Sequence, residues 1–143
     1  MTISDPLEVL AEDDCLALLR CRKVGRISFE FEGNIEIFPV TYGMEGKIIV
    51  FRTGPGTKLH AMPETMVAFE VDGWDPDPRI GWSVVAKGPA EEITLNPGRA
   101  AEHLRRVPLD PSAPGERWRW IAIKPSEITG RRFHAPSAKG ERS

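Results

Sequence analysis

Within the segment Phe51-Arg52-Thr53-Gly54-Pro55-Gly56-Thr57-Lys58-Leu59 the chain collects two cations, two hydroxyls and two glycines. That combination suits a phosphate. Glycines let the backbone approach an anion closely, N–H groups at the start of a following helix point at it, and Arg52 and Lys58 add charge-assisted hydrogen bonds. The spacing is not that of a P-loop, GxxxxGK[ST], and no third glycine completes GxGxxG. A tight Gly-Pro-Gly turn flanked by solvated cations accounts for the same residues. The residues alone leave both readings open.

Other constellations carry less. Asp72, Asp75 and Asp77 lack the DxDxDG order and the distal glutamate of a calcium loop, so a solvated acidic turn is expected there. Glu91 and Glu92 are neighbours on a strand and point to opposite faces, which prevents them from acting as a carboxylate pair. Ser83 and His60 have no nucleophile-elbow or triad context. Cys15 and Cys21 form no CxxC pair and fall on different faces of one helix, and His60, His103 and His134 are scattered singly, so neither disulfide nor metal is expected.

Hydropathy patterning supplies the elements that must position these groups. A helix is predicted over Glu12 to Arg22, with Asp13 and Asp14 in its first turn. Strands follow over 24–31, where Ile27, Phe29 and Phe31 alternate with Arg26, Ser28 and Glu30, and over 35–42, with Ile35, Ile37 and Pro39 on the apolar side. A proline there marks a sheet edge or an interruption of pairing. A β-branched strand covers 47–53. Thr57 to Met62 is helix-compatible, and strand 66–71 precedes a stretch from Asp72 to Arg79 that is turn chemistry throughout. A long strand from Gly81 to Leu95 bends at Gly88-Pro89, followed by a short helix over 98–106, a proline-rich surface loop from Pro108 to Gly115, a strand over 118–125, an edge segment over 128–133 and a disordered tail from Ala135 to Ser143. About six strands with turn signals between them indicate an antiparallel barrel or sandwich, and the alternating units of a Rossmann domain are missing.

The 143 residues suffice for one domain. A net charge of −2 gives no field that would attract nucleic acid or an anionic membrane. No apolar run is long enough to span a bilayer, and the first residues carry acids where a signal peptide needs cations, so a cytoplasmic location is expected.

The ordered series Val24-Gly25-Arg26-Ile27-Ser28-Phe29, Phe38-Pro39-Val40-Thr41-Tyr42, Phe51-Arg52-Thr53 with Gly56-Thr57-Lys58-Leu59, and Gly81-Trp82-Ser83-Val84 with Gly88 resembles the pyridoxamine 5'-phosphate oxidase-like family of FMN-binding split barrels. The resemblance extends over about residues 7 to 133. It implies a mainly β fold: a six-stranded antiparallel split β-barrel of Greek-key type with short flanking helices, filling residues 1–134. It also implies Pro39, Val40 and Thr41 along an isoalloxazine ring, Arg52, Thr53, Thr57 and Lys58 at the ribityl phosphate, and Trp82 and Ser83 near the flavin, from within one subunit or across a homodimer interface.

FMN is the cofactor so implied, with F420 as the alternative, and the activity implied is that of an oxidoreductase acting on a small organic molecule. The lack of acid–base machinery suits a reaction whose chemistry the flavin carries. A non-catalytic carrier of a flavin or another flat ligand needs the same groove, and an interaction module with an empty barrel would leave Arg52 and Lys58 as surface cations. A true pyridoxamine 5'-phosphate oxidase fits less well. Arg132-Phe133-His134 echoes an Arg-x-His element of those enzymes, but they are longer, and the Pro108 to Gly115 loop stands where their substrate helix belongs. Of the tryptophans, Trp74 and Trp82 are compatible with an interface, whereas strand alternation explains Trp118 and Trp120 as core.

Overall fold

Alternation along the strand Val24–Phe31 defines inside and outside: Gly25, Ile27 and Phe29 are buried, while Val24, Arg26 and Glu30 are exposed. In the computed structural model, which describes residues 7–56, 58–109 and 119–136, the elements run β1 (Leu7–Val9), α1 (Glu12–Arg20), β2 (Val24–Phe31), β3 (Asn34–Glu45), β4 (Ile48–Thr53), β5 (Met66–Asp75), β6 (Ile80–Glu92), α2 (Arg99–Leu104), β7 (Arg119–Ile123) and β8 (Glu127–His134). All ladders are antiparallel. β2, β3 and β4 form a meander, and β5 returns to lie beside β2, giving the spatial order β5-β2-β3-β4 of a Greek key.

Closure depends on β6. Its first part, Ile80 to Lys87, pairs with β8, and its last part, Ala90 to Glu92, pairs with β7. The exchange of partners falls at Gly88-Pro89, where a Cβ on Gly88 would stand 2.3 Å from the Lys124 carbonyl oxygen. β7 in turn pairs with β4, which closes a six-stranded barrel β6-β5-β2-β3-β4-β7, while β8 and β1 extend the sheet beyond it. The sequence expectation of a six-stranded antiparallel split barrel with short helices is met, and the predicted bend in the long strand is the hinge of its closure.

Phe69 fills the barrel centre. Its ring lies against Gly25, where a Cβ would come within 2.3 Å of it, and meets Tyr42 edge-on at 4.8 Å. Ile27, Ile49, Phe51, Val71, Val84, Ile121 and Ile123 complete the core. α1 contributes Cys15, Leu16 and Leu19 to it, with its acids in the first turn and Arg20 in the last, as the helix dipole favours. Tyr42 donates its hydroxyl hydrogen to the Leu19 carbonyl, tying helix to barrel. A second cluster, Val50, Ile93, Leu104, Val107 and Ala122, packs α2 against the outer side of β4 and β7.

Several expectations are corrected. The inward side of β3 is Phe38, Val40 and Tyr42; Ile35, Ile37 and Pro39 face out, with Ile35 78% and Ile37 63% exposed. Pro39 does not interrupt pairing, since the β2–β3 ladder runs without a break from Val24↔Thr41 to Phe31↔Asn34. Asp72 to Asp75 belong to β5, because the ladder with β6 continues through Gly73↔Trp82 to Asp75↔Ile80 and overrides the local turn composition. Residues 58–61 form a hydrogen-bonded turn rather than a helix. α1 ends at Arg20 rather than Arg22, and β1, unanticipated, pairs with β8. Both cysteines are free thiols, Cys15 buried and Cys21 exposed. Thr57, Trp118, most of the Pro108 to Gly115 loop and the tail from residue 137 lie outside the described residues. Among those described, no helix is long and apolar enough to cross a membrane.

Candidate functional site

β3 changes partners as well. From Asn34 to Thr41 it pairs with β2 alone, and only Tyr42 to Glu45 pair with β4, so its other edge is open over residues 34–41. Tyr42 donates its N–H to the Lys23 carbonyl, which fixes the alternation along the ladder: Val40, Phe38 and Glu36 turn their main-chain groups to β2, and Pro39, Ile37 and Ile35 turn theirs to the open edge. A proline is tolerated here because the missing N–H would have faced no strand. The open edge therefore presents the N–H groups of Ile35 and Ile37 and the carbonyls of Ile35, Ile37 and Pro39 to a ligand.

Where β3 and β4 part, Tyr42 pairs with Phe51, which sets Thr41 and Arg52 side by side at the fork. The segment predicted to lie along a ring and the segment predicted to hold a phosphate thus meet at the fork, with Arg52 exposed on one face of β4 and Thr53 buried on the other. The turn after β4 closes the far side of the fork: Lys58 reaches back across the split to Glu36 on β3, Nζ to Oε1 2.7 Å. That hydrogen bond and the charge of Glu36 raise the ammonium above its usual value, so Lys58 stays charged. Gly56 has φ +98° with no atom within 4 Å of a built Cβ, leaving its backbone accessible to a ligand. Thr53 is buried, its hydroxyl 3.5 Å from the Gly54 carbonyl. Arg52 is exposed, its guanidinium 5.0 Å from the Trp120 ring centroid.

Arg119 was not singled out by its sequence context, yet it organises this corner. It stands opposite Thr53 on β7. Its guanidinium donates to the carbonyls of His60 and Met62, the latter at 2.9 Å, and its Nε donates to Glu92 Oε1 at 2.9 Å. Glu92 also accepts from the Thr94 hydroxyl at 2.8 Å. Burial pushes the Glu92 carboxyl up, but the hydrogen bonds from Arg119 and Thr94 and the charge of Arg119 outweigh it and hold it below the usual carboxylate range. The turn carrying Lys58 is therefore fastened at its C-terminal end to the barrel wall. A lone cation entering an apolar strand was the available signal.

On the outer face, Arg22, Lys23, Val24, Arg26, Pro39 and Asp72 line a groove of about 350 Å³ that borders the open edge. Arg26 bridges Glu70 at 3.3 Å and Asp72 at 3.2 Å. Burial, a hydrogen bond with Asp72 and the Asp72 charge raise the Glu70 carboxyl, with Arg26 opposing them. Trp82 and Ser83, adjacent on β6, separate: Trp82 packs against the core across Gly73, beneath the Arg22 guanidinium at 5.1 Å, whereas Ser83 faces outward into a different pocket. Val40 commits its side chain to the core and its main chain to the β2 ladder; Pro39 and Thr41 face the exterior. Trp74 is exposed and stacks on Phe133 at 6.0 Å, and His134 is exposed at the end of β8. No cluster of three or more His, Cys, Asp or Glu able to hold a metal occurs among the described residues.

A Greek-key barrel with one strand edge held open beside a glycine-rich, cationic turn has the architecture of a split barrel. The profile of the pyridoxamine 5'-phosphate oxidase family matches residues 11–132, and the chain belongs to that family. It is similar to the FAD binding protein from Mycobacterium smegmatis, 31% identical with a TM-score of 0.74, over 89% of this chain and 98% of that one. A Corynebacterium glutamicum protein assigned by its name to the pyridoxamine 5'-phosphate oxidases superposes with a TM-score of 0.80 at 29% identity, over 95% of this chain and 99% of that one. An uncharacterised Mycobacterium tuberculosis protein, Rv0080, is 31% identical over 90% of this chain and 86% of its own length.

Proposed function

We propose that the protein holds a flavin in the split, with the ring along the open edge of β3 at Pro39 and Thr41 and the phosphate at Arg52, Thr53, Thr57 and Lys58, and uses it as an oxidoreductase on a small organic substrate. The observation that carries this is the fork at Tyr42–Phe51, which sets the unpaired edge of β3 beside the cationic turn. Main-chain donors and acceptors on that edge match the nitrogens and oxygens of a flavin ring, and a phosphate at the turn would share Lys58 with Glu36 or take it over. The bound flavin supplies hydride or electron transfer; the chain orients the ring and fixes the phosphate. FMN is the cofactor proposed, with F420 as the alternative, and the similarity to an FAD binding protein supports the flavin class and adds FAD to the forms to be tried.

Val24, Ile35, Ile37 and Met66 stand exposed on the outer face of β2, β3 and β5. Such a patch on a soluble protein is covered by a partner, and the reading includes a cytoplasmic homodimer formed across it.

The test is a visible absorption titration with FMN and FAD, with F420 followed by fluorescence. Saturable uptake is expected. The double variant R52A/K58A loses two charge-assisted contacts of about 1.5 kcal/mol each, a drop of about 100-fold in FMN affinity. Unchanged affinity in that variant, or no uptake by the wild type, overturns the assignment. Uptake without turnover of any reductant supplied would select the carrier reading.

A further inference from the structure

Outside the cleft, the outer face of β6 and β8 carries a pocket of about 300 Å³ lined by Ser83, Val85, Lys87, Thr129, Gly130 and Arg131. We propose that Ser83, Lys87, Thr129 and Arg131 form a second anion site, which binds the phosphate group of a phosphorylated ligand.

The ladder register fixes the arrangement. Ser83 is paired with Arg131 and Val85 with Thr129, and Lys87 lies two residues beyond Val85 on the same face. Val85 is thus an apolar floor with two hydroxyls and two cations beside it on β6 and β8, and Glu70 opposite it on β5. All four polar side chains are borne on paired strands, so their starting points are preorganised. None of them takes part in a side-chain hydrogen bond or ion pair among the described residues.

Exposed cations without partners are common; here they converge with two hydroxyls on a concavity that has no carboxylate in its lining. The nearest acids in the ladders are Glu127, opposite Lys87, and Glu70 and Asp72, opposite Val85 and Ser83, and the last two are already bridged by Arg26 at 3.3 and 3.2 Å. Donors spread around a floor suit the oxygens of a phosphate better than the two in-plane oxygens of a carboxylate.

This site cannot serve the phosphate proposed for the cleft. Pro39, Arg26, Glu70 and Val85 follow one another across β3, β2, β5 and β6, three strand spacings of about 4.8 Å, which puts Val85 about 14 Å from Pro39 and farther still from the turn beyond β4. The phosphate is therefore a second one, carried either by the nucleotide half of a dinucleotide flavin or by a separate phosphorylated substrate.

The experiment titrates inorganic phosphate into the flavin-free, ¹⁵N-labelled chain, with sodium chloride at matched ionic strength as reference, and follows the amides of residues 83–87 and 129–131. Saturable shifts confined to those amides are expected, and they should vanish in K87A/R131A, a variant whose melting temperature should stay at that of wild type because neither side chain has a partner to lose. No saturable shift, the same shifts with chloride, or shifts that persist in the double variant overturn the proposal. When the shifts vanish, flavin titration separates the sources. A loss of at least tenfold in FAD affinity with FMN unchanged assigns the site to a dinucleotide, and both flavins unchanged assigns it to a separate substrate. K58A should leave the phosphate shifts intact whatever it does to flavin binding, so failure of the flavin reading does not disturb this test.

Discussion

Arg119→Ala removes the guanidinium that joins β7 to the turn carrying Lys58. In the wild type it makes hydrogen bonds to Glu92 and to two carbonyls, from a side chain only 11% exposed. Hydrogen bonds involving a charged group contribute about 1.5–3 kcal/mol each, and the discount for the partly exposed Glu92 and for water reaching the freed carbonyls leaves a net loss of about 3 kcal/mol. At about 3–4 °C per kcal/mol for a chain of this size, the melting temperature should fall by about 10 °C. Urea denaturation of wild type, R119A and R119K provides the assay, with R119K intermediate because an ammonium cannot reach three acceptors in the fork geometry. The pH dependence follows from Glu92, whose carboxyl lies below its ordinary value when folded. A depressed carboxylate contributes stability that is fully present above the unfolded value, about 4.3, and is lost as pH falls through the folded one. The gap between wild type and R119A should thus be constant near pH 7 and narrow below about pH 4. A gap under about 0.5 kcal/mol at pH 7, or one that widens in acid, would refute the clamp.

Three further outcomes are expected. Glu36→Gln frees Lys58 from its carboxylate and should tighten FMN several-fold while leaving riboflavin, which has no phosphate, unaltered; equal effects on both would show that Glu36 acts on the ring instead. Tyr42→Phe deprives the Leu19 carbonyl of its donor and should cost about 1–2 kcal/mol in urea denaturation, reading out the tie between α1 and the barrel. Ile37→Glu places a charge in the exposed apolar patch without touching the core, and sedimentation at micromolar concentration should show a monomer for the variant and a dimer for the wild type; a monomeric wild type would overturn the proposed homodimer.

Much of the barrel was legible because its local signals agree. β2 alternates cleanly, β4 is β-branched, and Gly88-Pro89 announces a bend that the fold uses to pass from one ladder to another. β3 was legible as a strand but not in its facing. Ile35, Ile37 and Pro39 on one parity and Phe38, Val40 and Tyr42 on the other are both apolar, so a period of two does not choose between them; the register with β2 does. Asp72 to Asp75 have turn composition yet extend a ladder whose partner strand lies beyond the turn, and β1 is too short to carry a period at all. In the cleft, the two segments could be named from the sequence, but the Lys58–Glu36 bridge and the Arg119 clamp join residues far apart in the chain, and nothing local encodes either pairing.

The open edge of β3 has a meaning beyond ligand binding. An unpaired strand edge flanked by exposed isoleucines is also a template for a foreign strand, which would add to it by the same main-chain groups and start an edge-to-edge aggregate. Pro39 stands in the outward-facing series Ile35, Ile37, Pro39 and withholds one N–H from that row, so an incoming strand meets a missing rung, whereas a compact ring that needs only one or two main-chain contacts is unaffected. The residue that the resemblance assigns to the ring is thus also a guard on the edge, and replacing it by valine would restore the missing donor and open the sheet to self-association.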